Sequence, residues 1–160
     1  MVFALYPGSF DPVTKGHLDL VERALPLFER LTVAVAINSS KAPTFTVEER
    51  VELLRASLPA DPRLEVATFR GLVVDYCRQQ GIGAILRGVR TVSDFEYEYQ
   101  LALTNRHLAP GIETVFVMPS VQYSYVSSSL IREIVRNGGD AASFVPPVVE
   151  RRLRERLRPS

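Results

Sequence analysis

Short runs of aliphatic and β-branched residues alternate along the chain with longer stretches whose apolar positions recur every three or four residues. The runs Val2–Tyr6, Leu31–Asn38, Leu64–Ala67, Ala84–Leu86 and Thr114–Met118 are apolar at successive positions, as strands covered on both faces of a parallel sheet are. Leu18, Val21, Leu25 and Phe28 follow helical spacing, and Pro26 should kink or end that helix. Thr46-Val-Glu-Glu49 predicts a capping box, in which threonine and glutamate answer each other's amides, ahead of Val47, Val51, Leu54 and Leu58 on one face. Ser93-Asp-Phe-Glu96 predicts a second box, opening a helix to about His107. Leu72–Gln80 reads as a short helix stopped by Gly81, and Ser129–Asn137 as one that ends at Gly138-Gly139. Pro146-Pro147 starts a terminal helix over about 147–157. Such alternation predicts an α/β fold: a doubly wound sheet of five parallel strands, right-handed crossovers and helices on both faces. With no repeat, linker or low-complexity segment, residues 1–160 are expected to form one domain.

Composition narrows the class. Hydrophobic residues at 46% and charged ones at 23% exclude disorder. Nineteen basic against eighteen acidic residues leave a net charge of +1, which argues against a nucleic-acid partner. No apolar run approaches the ~18 residues of a membrane span, and the first residues lack the positive start of a signal peptide; a soluble, cytoplasmic protein is expected. Cys77 is the single cysteine, so no internal disulfide or cysteine-built zinc site is available, and it reads as a small buried hydrophobe. Among the basic residues only Lys15 and Lys41 are lysines. A lysine in an arginine-rich chain can mark a place that wants a compact point charge, although chance explains Lys15 equally well.

Ligands of doubly wound sheets sit outside the carboxyl ends of the strands. The loops expected there are Pro7–His17, Asn38–Pro43, Arg87–Arg90 and Pro119–Ser129, and each carries glycine, hydroxyls or a cation. Together they offer His17, Lys41, Arg87 and Arg90. Phosphate wants this set, because small residues admit it to backbone N–H groups and cations match its charge. Each piece alone has a plain structural reading. Pro7-Gly8 could be a simple turn, Arg87 and Arg90 surface partners of Asp94 or Glu96, the serines an N-cap, and His17 a solvated residue. His107, at a charged helix end, reads as structural. Convergence on one sheet edge favours the phosphate reading. The helices opening at Thr46 and Ser93 carry Glu49 and Glu96 to answer their own amides. Those opening near Thr14–Gly16 and Ser127–Ser129 have no acid in the first turn, which leaves room for a ligand's negative charge.

Pro7-Gly-Ser-Phe-Asp-Pro with Thr14-Lys-Gly-His17 resembles the T/HxGH signature of the nucleotidyltransferase superfamily, and Val126-Ser-Ser-Ser-Leu-Ile-Arg132 resembles its ISSxxxR signature. Thr14 in place of the commoner histidine, Ser40–Pro43, Leu86-Arg-Gly-Val-Arg90 and Asp94-Phe-Glu-Tyr-Glu98 resemble the bacterial phosphopantetheine adenylyltransferases, over about residues 3–150. The resemblance implies a Rossmann-like fold and adenylyl transfer from ATP, with Mg²⁺, to 4′-phosphopantetheine, giving dephospho-coenzyme A and pyrophosphate. It implies catalytic roles for His17, Lys41 and Arg90. It implies ATP contacts from Ser9, Phe10, His17, Gly88, Val89, Arg90, Glu98, Tyr123, Ser124, Tyr125, Val126, Ser127, Ser128 and Ser129. Phosphopantetheine contacts would come from Ser9, Lys41, Val73 and Arg87, with no protein metal ligand. A homohexamer and feedback by coenzyme A are further implications.

The residues agree with that chemistry. A phosphate nucleophile is already ionised at neutral pH and needs no general base; transfer needs alignment and charge neutralisation. Rivals are another adenylyl- or cytidylyltransferase, which Thr14 disfavours, and a nucleotide-sensing domain without turnover, which the paired signatures disfavour.

Overall fold

The computed structural model describes residues 2–37 and 42–158. Five parallel strands form one sheet: β1 (Phe3–Gly8), β2 (Arg30–Ala36), β3 (Leu64–Phe69), β4 (Ala84–Gly88) and β5 (Glu113–Val117), in the order β3-β2-β1-β4-β5. The chain winds outward from β1 to β3, crosses back over β1, and continues through β4 to β5 on the other side. The β1–β4 junction is therefore the place where crossovers diverge and a crevice opens.

Side chains alternate across the sheet as the two-residue period requires. Ala4 and Tyr6 of β1, Leu31, Val33 and Val35 of β2, and Ala84 and Leu86 of β4 enter the larger core. That core also takes Leu20 and Val21 of α1 (Lys15–Ala24), Leu53 and Leu54 of α2 (Val47–Ser57), Ile131 and Val135 of α5 (Ser128–Arg136), and Val149 and Leu153 of α6 (Pro147–Leu157). Leu5, Ala34 and Ile85 point the other way, against Val74 and Cys77 of α3 (Val73–Gln80) and the segment following α4 (Val92–Leu108). Helices thus cover both faces, as expected. The strands were expected to be covered throughout; β3 and β5, at the edges, are half exposed because each has a neighbour on one side only.

Helix ends follow the sequence signals with one exception. α1 gives way to a single 3-10 turn, Leu25–Leu27, at Pro26. The Thr46–Glu49 capping box forms. α3 ends on Gly81 in the left-handed conformation, φ 65°. The box expected at Ser93–Glu96 does not form: Thr91 is the N-cap, its hydroxyl accepting from the Asp94 N–H at 3.1 Å. Thr91 and Asp94 have the same three-residue spacing, and Arg90 draws Asp94 into this arrangement from the ligand side.

Candidate active site

A cleft of about 250 Å³ opens at the carboxyl ends of β1 and β4. β1 contributes Tyr6, Pro7 and Gly8, and β4 contributes Arg87 and Gly88. Phe10, Thr14, Gly16, His17 and Leu20 come from the loop after β1 and from α1, and Glu98 comes from α4. Pro119, Tyr123, Val126, Ser127 and Ser128 complete the wall from the opposite end of the chain.

His17 is the third residue of α1, and its ring takes the place that glutamate holds in an ordinary capping box. The Thr14 N–H donates to Nδ1 at 3.0 Å, while the His17 N–H donates to Thr14 Oγ1 at 3.3 Å. An Nδ1 that accepts from a backbone amide carries no proton, so the neutral ring is protonated at Nε2. Burial, helped by the nearby Arg90 guanidinium, pulls the histidine down to about 4. At neutral pH His17 is an uncharged Nε2–H donor. The Phe10 ring packs edge-on against it at 4.9 Å.

The loop after β1 is held in a strained shape by groups distant in sequence. Phe10 sits at φ 47°, a conformation that costs a non-glycine residue about 1 kcal/mol or more and persists only where the surroundings enforce it. Here they do. Arg50 donates to the Ser9 carbonyl at 2.8 Å, Arg132 to the Asp11 carbonyl at 2.6 Å, and Ser128 Oγ to the Pro12 carbonyl at 2.8 Å. The Asp11 carboxylate accepts the N–H groups of Thr44 and Phe45, each at 2.9 Å, and so anchors the loop after β2 to the same point. Arg132 and Ser128 belong to the second signature, so the two signatures are bolted together.

Arg87 is clamped by Glu98 through Nε and an η nitrogen, both at 2.6 Å. Arg90 pairs with Asp94 at 3.0 Å and donates to the Val126 carbonyl at 2.8 Å. The plain pairing of Arg90 with Asp94 therefore exists, and Arg87 pairs with Glu98 instead of Glu96. Both arginines still line the cleft, held in place by these partners. A Cβ at residue 88 would lie 2.4 Å from Leu20 Cδ1, so a larger residue there requires the buried Leu20 side chain to shift.

Both candidate anion helices have acid-free first turns. α1 uses most of its donors internally: besides the Thr14–His17 cap, the Lys15 N–H goes to the Phe144 carbonyl at 2.8 Å. In α5 the Ser127 hydroxyl accepts from Leu130, while the Ser128 and Ser129 N–H groups have no acceptor among the described residues. The larger vacancy is at α5.

The cleft thus gathers Phe10, His17, Arg87, Gly88, Arg90, Glu98, Tyr123, Val126, Ser127 and Ser128 from the sequence-derived set. Ser9, Val89, Ser124, Tyr125 and Ser129 lie in the same loops but do not line it. Val73 opens α3 beyond β3, two strands away. Lys41 lies outside the described residues. His107 is exposed in the last turn of α4 and does not line the cleft. Burial pushes the Cys77 thiol up to about 11, so it offers no thiolate. Tyr6 and Leu20 line the cleft without having been singled out, because an apolar strand position and a helix core position carry no chemical signal. Asp19 was missed as well. Its carboxylate accepts the Ser120 N–H at 2.7 Å and the Ser120 hydroxyl, pinning the loop after β5 to α1.

Residues 5–134 match the cytidylyltransferase-like family. The phosphopantetheine adenylyltransferase of Thiobacillus denitrificans (strain ATCC 25259 / T1) is 52% identical over 158 residues, 99% of this chain and 99% of the relative. That of Desulforudis audaxviator (strain MP104C) is 51% identical over 157 residues, 98% of this chain and 96% of the relative. With two signatures joined around one cleft and such identity along nearly the whole chain, the protein belongs to the phosphopantetheine adenylyltransferase family, within the cytidylyltransferase-like proteins.

Proposed function

We propose that this protein transfers the adenylyl group of ATP to 4′-phosphopantetheine, giving dephospho-coenzyme A and pyrophosphate. A phosphate oxygen of phosphopantetheine attacks the α-phosphorus; a new P–O bond forms as the bond to the pyrophosphate bridging oxygen breaks, and the electron pair leaves with pyrophosphate. No proton need be removed from the nucleophile. The observation that carries this reading is the Thr14–His17 cap, which makes His17 a neutral donor and leaves it without a role as base at neutral pH. A donor aimed at charge that builds up in the transition state is what this transfer requires.

Roles divide by location. His17 and the α5 N-terminus serve the nucleotide phosphates. Arg90, tied to Val126, holds the nucleotide wall together and adds positive charge. Arg87 and Lys41 serve the acceptor phosphate, with Ser9 and the backbone of Val73 in supporting contacts.

Mg²⁺ would enter with the nucleotide. The one carboxylate in the cleft, Glu98, is already bound by two nitrogens of Arg87, and the described residues contain no group of three acidic, histidine or cysteine side chains able to hold a metal. The cleft therefore does not fit a protein-built metal site, and an ion held by phosphate oxygens and water suits it better.

Coenzyme A, which contains the whole product frame, would compete for the same cleft as a feedback ligand. α4 exposes Val92, Phe95, Tyr99 and Leu103, with Phe95 against Phe116 of the edge strand β5 at 5.8 Å. Contiguous apolar surface of this kind supports self-association, for which we take the homohexamer. No helix among the described residues is long and apolar enough to cross a membrane; a cytoplasmic enzyme using cytoplasmic ATP is our reading.

Pyrophosphate release measured with ATP, Mg²⁺ and 4′-phosphopantetheine, beside nicotinate mononucleotide as the alternative acceptor, tests the reading. Turnover with phosphopantetheine alone is expected. ATP binding without turnover, or preference for the nucleotide acceptor, would overturn it.

A further inference from the structure

We propose that the Tyr6 hydroxyl is a further catalytic group of this site, donating a hydrogen bond to a phosphate oxygen of the reacting pair. The proposal rests on the adenylyl-transfer reading above. Tyr6 is the fourth residue of β1 and only 5% exposed. Its ring packs edge-on against Phe10 at 5.3 Å and lies 6.3 Å from the His17 ring. Neighbours of that kind would accept phenylalanine equally well, so packing does not account for the hydroxyl. Buried tyrosine hydroxyls ordinarily find a partner, yet this one donates to no described residue.

Among the described residues, the side-chain atoms sealed from solvent without a hydrogen bond are Arg30 Nε and Glu150 Oε1, the latter ion-paired with Arg154. The Tyr6 oxygen is not one of them. Since Tyr6 lines the cleft, the space its hydroxyl reaches is the cleft itself. The charges that act on that oxygen are Arg87, Arg90 and Glu98, the groups placed around the ligand. Neither arginine bonds this hydroxyl: among the described residues Arg87 donates to Glu98 and the Pro7 carbonyl, and Arg90 to Asp94 and the Val126 carbonyl, with further N–H groups on both left for a ligand. Burial holds the phenol well above its ordinary value, so the proton stays on and is available to donate. A neutral donor on a rigid strand, beside two arginines and the His17 ring, is preorganised for charge that develops on phosphate oxygens.

Tyr6→Phe removes the hydroxyl and keeps the ring. Steady-state kinetics with both substrates, run beside the wild type, should show kcat reduced about tenfold or more with both KM values changed by less than about twofold. The thermal midpoint should stay within about 2 °C, because no internal bond is lost. A kcat within about twofold of wild type would overturn the proposal. So would a clear fall in the thermal midpoint, which would mean that the hydroxyl is bonded within the protein. Failure of the wild type to turn over the two substrates would instead sink the proposed function.

Discussion

The Thr14 backbone N–H donates to Nδ1 of His17 at 3.0 Å, and that contact decides which ring nitrogen faces the ligand. The proton is left on Nε2, so histidine enters the cleft as a donor with a fixed tautomer. His17→Ala should lower kcat by about 100-fold, the cost of one preorganised donor, with ATP affinity little changed; near-normal kcat would refute the role. The pH dependence follows from the same contact. His17 titrates at about 4 in the folded protein against an ordinary 6.5, so the unfolded chain takes up the proton first as pH falls. Its contribution to stability is steady above about pH 6.5 and declines from there toward pH 4. Denaturation midpoints across this range should fall less steeply for His17→Ala than for wild type.

Lys41→Ala should weaken phosphopantetheine binding more than ATP binding, because Lys41 falls in the sequence between β2 and α2, apart from both signatures. Calorimetry with each substrate in turn measures this, and the reverse order would reject the assignment.

Ser129→Asp should cripple ATP binding while leaving the fold intact. The Ser128 and Ser129 N–H groups at the start of α5 have no acceptor among the described residues, and a carboxylate there would repel a phosphate seeking those donors. Unchanged ATP affinity in a folded variant would remove α5 from the nucleotide site.

Glu98→Ala should destabilise the protein by about 3 kcal/mol, because it leaves Arg87 charged, largely buried and without its carboxylate. For a chain of this length the thermal midpoint should drop by about 6–12 °C. A higher KM for phosphopantetheine should accompany the drop, since Arg87 is no longer held in line. Unchanged stability would mean that the pair contributes little beyond what water supplies.

Much of this protein was determined by the sequence alone. Five strands and their helices follow from apolar periodicity, a local property set within a few residues, and the helix stops at Pro26 and Gly81 follow from backbone chemistry at one position each. The two signature loops and the edge of the sheet they occupy were equally legible, since strand–helix alternation sends every such loop to the carboxyl ends of the strands. Tertiary structure decided what those side chains do. Arg87 could have paired with any acid on the following helix, and the helical turn that faces β4 selects Glu98. The strain at Phe10 is enforced by Arg50, Arg132 and Ser128, from as far as 121 residues away. Asp19 meets Ser120 across 101 residues. No periodicity encodes such pairs, because they form only when packed elements bring a donor and an acceptor within about 3 Å. The free hydroxyl of Tyr6 is of the same kind: along the chain it is one more apolar strand position, and only the folded cleft exposes what it lacks.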